Sequence, residues 1–243
     1  MERFVDRDLS GAEFRECVLN DVRLIGVQMR GARIEGEVID LTVNGVEVMP
    51  FVEAELDRRH PERVLIRSDD LDELREGWRI LQADWAATIA RIRRTPGLER
   101  RSVNGEYSPL ETLRHLLFAS DVWFRRGVLG EETPYPAIGL PGAWLAPGQL
   151  PEVDARVDRD ADPTLDEVLA ARAERVEALT AYLHEADPAT VAAPRPTLTT
   201  QGWPPNQPEY TVLDALRVVP EEEFWHLRFT KRDLDLIEAQ DAS

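Results

Sequence analysis

The sequence is poor in several residues from which active sites are commonly built. It holds one cysteine, Cys17, in 243 residues. An intramolecular disulfide is therefore excluded, and a reducing compartment is expected. Four histidines are present, and a single lysine, Lys231, stands among 29 basic residues. Neither a Ser- or Cys-centred nucleophile constellation nor a phosphate-binding glycine loop can be found. No apolar run approaches the roughly 20 residues needed to span a bilayer. The start, MERFVDRDLS, lacks the apolar core of a secretory signal. Positive charge is also scarce. A net charge of −17 works against nucleic acid, whose phosphates it would repel, and against an anionic membrane surface. These absences predict a soluble cytoplasmic protein with a small-molecule substrate and no nucleic-acid or membrane partner.

What is present begins with a repeat of period five. Phe4, Leu9, Phe14, Leu19, Leu24, Met29, Ile34 and Ile39 recur without a break. Small or β-branched residues (Ala12, Cys17, Val22, Val27, Ala32) stand two before most of them. This spacing fits neither helix nor strand and points to a short solenoid. Eight repeats allow two square coils, too few to stand alone, so the stack should lean on the helical region C-terminal to it. In that arrangement Cys17 points inward and packs. Asn44-Gly45, between alternating apolar residues, predicts a tight hairpin. A short helix and linker fill 49–67, with His60 as a surface loop residue before Pro61.

From Ser68 the pattern is helical. Leu71, Leu74, Trp78, Leu81, Trp85, Ile89 and Ile92 form one apolar stripe, with Ser68 as the expected cap. Ser108 with Glu111 and Thr164 with Glu167 read as capping boxes of two further helices, and Thr211 with Asp214 opens a fourth. Pro220 interrupts the fourth, where a kink is expected, and the helix should run to about Glu238. The long connections 127–163 and 187–209 carry Trp144 and Trp203. The domain plan is 1–48 solenoid, 49–67 linker and 68–243 four-helix bundle.

Two histidines follow a glutamate by four residues: Glu111 with His115, and Glu222 with His226. Residues four apart share a helix face. The cap alone explains Glu111, and His115 alone reads as a core histidine bonded to a carbonyl. His184, near a helix end, reads as a cation favoured by the dipole. A tripod of His115, Glu222 and His226 resembles catalytic zinc sites and some non-haem iron sites. The first helix shows only apolar residues inward, which disfavours a second metal. Glu221 and Glu223 read as solvated or as hydrogen-bond partners of the ligands.

The segments SPLETLRHLLFASDVW, PTLDEVLAARAERV, GWPP and EEEFWHLRFTKRDL resemble the DinB/YfiT-like superfamily, in its branch with a short N-terminal pentapeptide stretch. The resemblance implies a mainly α fold: a DinB-like four-helix bundle beside a small pentapeptide-repeat right-handed β-helix. It also implies a metal on three histidines. His115 and His226 match two of them, and Glu222 replaces the third. Relatives of this type include S-transferases and an isomerase that use mycothiol or bacillithiol. The expected cofactors are thus a divalent metal, zinc or nickel, and a low-molecular-weight thiol. Trp144 and Trp203 would line the pocket, and Arg228 and Arg232 would meet an anionic group, with surface ion pairing as their alternative. The resemblance also allows a homodimer. Two other readings remain open: a non-catalytic acidic pentapeptide protein that mimics DNA, and a bundle whose metal site has decayed.

Overall fold

Local capping chemistry sets where the main helices begin. The computed structural model describes residues 3–15, 17–142, 145–206 and 209–242. In chain order its elements are β1 (Thr42–Val43), β2 (Val46–Glu47), α1 (Met49–Arg59), α2 (Glu62–Ile66), α3 (Leu71–Ile92), α4 (Pro109–Ser120), α5 (Pro151–Asp154), α6 (Leu165–Glu185), α7 (Pro188–Ala192) and α8 (Val212–Asp241). The capping boxes at Ser108, Thr164 and Thr211 all form, each satisfying otherwise orphaned amides of the first turn. At α3 the cap is Asp70 rather than Ser68. The Asp70 carboxylate accepts from the amides of Asp72 and Glu73, and Ser68 supports it by accepting from the Asp70 amide. Helix α8 continues through Pro220 and ends three residues beyond the expected Glu238.

Helices α3, α4, α6 and α8 form the bundle: α4 packs on α6 and α8, and α3 on the same two. Its core includes Leu74, Trp78, Leu81 and Trp85 of α3, Leu113 and Leu116 of α4, Val168 and Leu179 of α6, and Leu216, Val219 and Leu227 of α8. Each such side chain contributes about 1.5–3 kcal/mol by leaving water. The linker region is more structured than the sequence predicts, since α1 and α2 fold onto the bundle. His60 ends α1, pairs with Glu62 at 3.3 Å and meets the Phe224 ring edge-on.

The N-terminal stretch keeps its period without becoming a β-helix. Asp6, Gly11, Asp21, Gly26, Gly31 and Gly36 turn left-handed at five-residue intervals. Among the described residues, however, the only strands are β1 and β2, the expected hairpin, with Asn44 and Gly45 at positive φ. Two coils offer a single coil-to-coil interface, too little for a ladder. The eight repeat residues accordingly stay 47–71% exposed, and Cys17 is exposed rather than packed. The stretch does lean on the bundle. Arg15 donates to the Asn104 carbonyl, and Glu35 accepts from Arg232 at 2.7 Å.

Candidate metal centre

The helix pair α4–α8 carries the site. His115 lies in the second turn of α4, whose phase the Ser108–Glu111 box fixes. Glu222 and His226 follow Pro220 on one face of α8. The three residues converge: Glu222 Oε2 stands 3.4 Å from His115 Nε2 and 3.3 Å from His226 Nε2. One donor atom from each lies within 4.8 Å of the others, and the two rings lie 4.7 Å apart. His115 is 8% exposed, whereas the Glu222 side chain keeps about a third of its surface, 33%, so the site has an open side.

The donor set fits an ion. For tetrahedral zinc with bonds of about 2.0–2.1 Å, neighbouring donors stand about 3.3–3.4 Å apart, which is the Glu222–histidine spacing. The His115 Nδ1 lies 3.0 Å from the Leu140 carbonyl. A carbonyl only accepts, so Nδ1 carries the proton and Nε2 offers its lone pair to the centre. The core-histidine role and the ligand role are therefore the same geometry. Burial works against charge on Glu222, but hydrogen bonds from His115 and His226 outweigh it and hold the carboxyl well below its ordinary range. Thr230, one turn after His226, is buried with no hydrogen-bond partner for its hydroxyl among the described residues. Tyr107 packs against His115 with rings 5.9 Å apart. Leu140, Thr230 and Tyr107 carry no sequence signal of a role here.

Beside the triad, Glu223 is neither solvated nor bonded to a ligand. It is fully buried and makes a two-pronged ion pair with Arg172 of α6. Gln82 of α3 also contacts Arg172, so that helix does turn a polar group inward. Glu221 is half-buried, and burial raises its carboxyl pKa.

The long connections are stitched down by arginines. Arg114 donates to the carbonyls of Ile138, Asp158 and Arg159. Past Ser120 the helix widens into a π segment, Asp121–Arg126. From its end Arg126, 1% exposed, donates to the carbonyls of Glu132, Thr200 and Pro204. Trp203 packs edge-on against Trp123 at 6.3 Å and exchanges hydrogen bonds with the Tyr135 hydroxyl. It thus belongs to a small cluster with Phe118, Val122 and Tyr135. Trp144 lies outside the described residues. Arg232 is bound to Glu35, Glu106 and Asp233, the ion pairing offered as its alternative. Arg228 follows His226 by two positions, about 200° around the helix, and stacks on Phe224 and Trp225. His184 is exposed near the end of α6.

A family model described as the DinB superfamily matches residues 54–229, and a model for pentapeptide repeats matches residues 3–36 in eight copies. Neither the curated proteins nor the solved structures contain a match to the chain.

Proposed function

This chain belongs to the DinB superfamily, and from that premise we propose that it is a divalent-metal-dependent enzyme acting on a small molecule, with transfer of a thiol sulfur as the favoured reaction and hydrolysis or isomerisation as its variants. The observation that carries this reading is the convergence of His115, Glu222 and His226, with the carboxylate oxygen 3.4 and 3.3 Å from the two Nε2 atoms. Two neutral imidazoles and one carboxylate leave positions free for a substrate. Zinc and nickel both suit such a nitrogen–oxygen set. When bound, the ion lowers the pKa of a thiol or water and so supplies a nucleophile at neutral pH.

The chain's own residues do the rest. The Leu140 carbonyl holds the Nδ1 proton of His115 and keeps Nε2 aimed at the centre. Glu222 replaces a neutral ligand with a carboxylate, which lowers the net charge of the site by one and favours a harder ion. Its oxygen, within hydrogen-bond reach of both imidazoles, is also placed to take a proton from an incoming thiol or water.

Metal analysis of the purified protein tests the reading. About one zinc or nickel per chain is expected, with large losses in His115→Ala and His226→Ala. Absence of metal, or unchanged content in His226→Ala, refutes it. Loaded protein incubated with mycothiol and an electrophile then separates S-transfer from hydrolysis by the product formed.

A second reading rests on the same distances, which also suit hydrogen bonds between a carboxylate and two imidazoles. In that case the triad is a structural clasp between α4 and α8, inherited from a metal site. The protein would then melt at the same temperature with and without zinc or nickel.

A further inference from the structure

The chain carries 46 acidic residues against 29 basic ones, so an arginine away from water without a carboxylate partner runs against the composition. Arg228 is one. It is half-buried on α8, with its guanidinium 5.0 Å from the Trp225 ring centroid and 5.7 Å from that of Phe224. Among the described residues no carboxylate lies within ion-pair distance of it, and its N–H groups have no hydrogen-bond acceptor.

The charged groups around it make the contrast sharper. Arg63 is bound by Glu53 and Asp57, Arg59 by Glu55, and Arg232 by Glu35, Glu106 and Asp233. Each neighbouring guanidinium is thus neutralised, and Arg228 alone is left with its fork of donors free. Burial, and then repulsion from Arg63, work against its charge, yet an arginine does not give up its proton in a protein. The remaining way to relieve that cost is an anion brought from solution. Trp225 supplies a floor for it, sandwiched between Arg228 and Arg63 at 5.0 and 5.6 Å.

We infer that Arg228, stacked on Trp225 where α8 faces α1 and α2, is a binding site for the oxyanion of a small molecule, a carboxylate or phosphate taken by its two parallel N–H groups. The site is separate from the triad, since Arg228 points about 200° away from His226 around the helix, and it does not rest on the metal-enzyme reading.

The test uses the full-length protein stripped of metal, with benzoate and inorganic phosphate as probes, read by titration calorimetry and tryptophan fluorescence. Saturable binding of at least one probe is expected, weakened about tenfold to a hundredfold in Arg228→Gln. Binding of benzoate alone assigns a carboxylate ligand, and binding of phosphate alone a phosphoryl ligand. Arg228→Lys keeps the charge but loses the fork. It should bind about tenfold less tightly, and it serves as the measurement if the glutamine variant does not fold. His226→Ala should bind as the parent does. The inference is overturned if neither probe saturates, or if Arg228→Gln or Arg228→Lys binds as the parent does, which marks an adventitious ion only. Loss of binding in His226→Ala overturns the separateness of the two sites.

Discussion

Replacing Glu223 with alanine should be among the most damaging single changes to the stability of this protein. The carboxylate is fully buried, and it faces Arg172, whose side chain is 5% exposed. Both Arg172 terminal nitrogens donate to the two carboxylate oxygens. The other contacts of the guanidinium are the Gln82 oxygen at 3.3 Å and the Trp85 ring at 5.2 Å. Glu223→Ala leaves a cation in the core that can neither deprotonate nor reach water, and breaking a buried pair in this way costs about 3–5 kcal/mol. Solvent screening does not reduce the figure, because neither partner touches solvent appreciably. For a domain of this size the melting temperature should fall by about 6–20 °C. The double variant Arg172→Met/Glu223→Leu removes both charges, fills a similar volume, and should recover most of the loss. Urea denaturation followed by circular dichroism measures both variants. A cost below about 1 kcal/mol for Glu223→Ala, or a double variant no more stable than the single, would show that the pair is not the closed, dry contact described.

Other perturbations draw on the same geometry. A Cβ added at Gly202 would meet the Tyr135 hydroxyl at 2.2 Å and Arg126 Cζ at 2.9 Å, so Gly202→Ala should cost about 1–3 kcal/mol and loosen the Trp203 loop, seen as faster amide exchange at 198–206. The Glu132 carboxylate accepts from the hydroxyls and amides of Thr199 and Thr200, which lowers its pKa to about 2. A carboxyl depressed by folding stabilises above its unfolded pKa and loses that contribution as pH falls through the folded value. The Thr199–Thr200 amides should therefore lose protection between about pH 4.5 and 2, and Glu132→Gln should abolish that dependence. Ser108→Ala removes one half of the capping box that starts α4 and should cost about 1 kcal/mol in thermal denaturation.

Much of this architecture could be read directly from residue spacing. Three capping boxes and the apolar stripe of α3 depend on contacts within one or two turns, which a linear sequence records faithfully. The triad was legible for a related reason: a four-residue spacing fixes the Glu222–His226 pair, and the scarcity of histidine left few partners. Where spacing alone was ambiguous, the reading failed. The run Glu221-Glu222-Glu223 does not say which carboxylate faces Arg172, because that depends on the rotation of α8 against α6. At α3, Ser68 and Asp70 both have capping side chains, and only the backbone decides between them. The five-residue period was equally plain, but an inward position for Cys17 presupposes enough coils to make an inside. Trp203 shows the limit for loops, since its neighbours Trp123 and Tyr135 come from segments more than sixty residues away.

The loop contact at Leu140 has a consequence for how this protein can vary. Its amide donates to the Arg114 carbonyl and its carbonyl takes the His115 proton, so the main chain alone orients the imidazole. Almost any amino acid at position 140 preserves that bond, and substitutions there should be nearly silent. Insertions or deletions between Arg126 and Leu140 are another matter, because they shift which carbonyl arrives opposite Nδ1. The histidine is thus guarded by the length of a loop rather than by its letters.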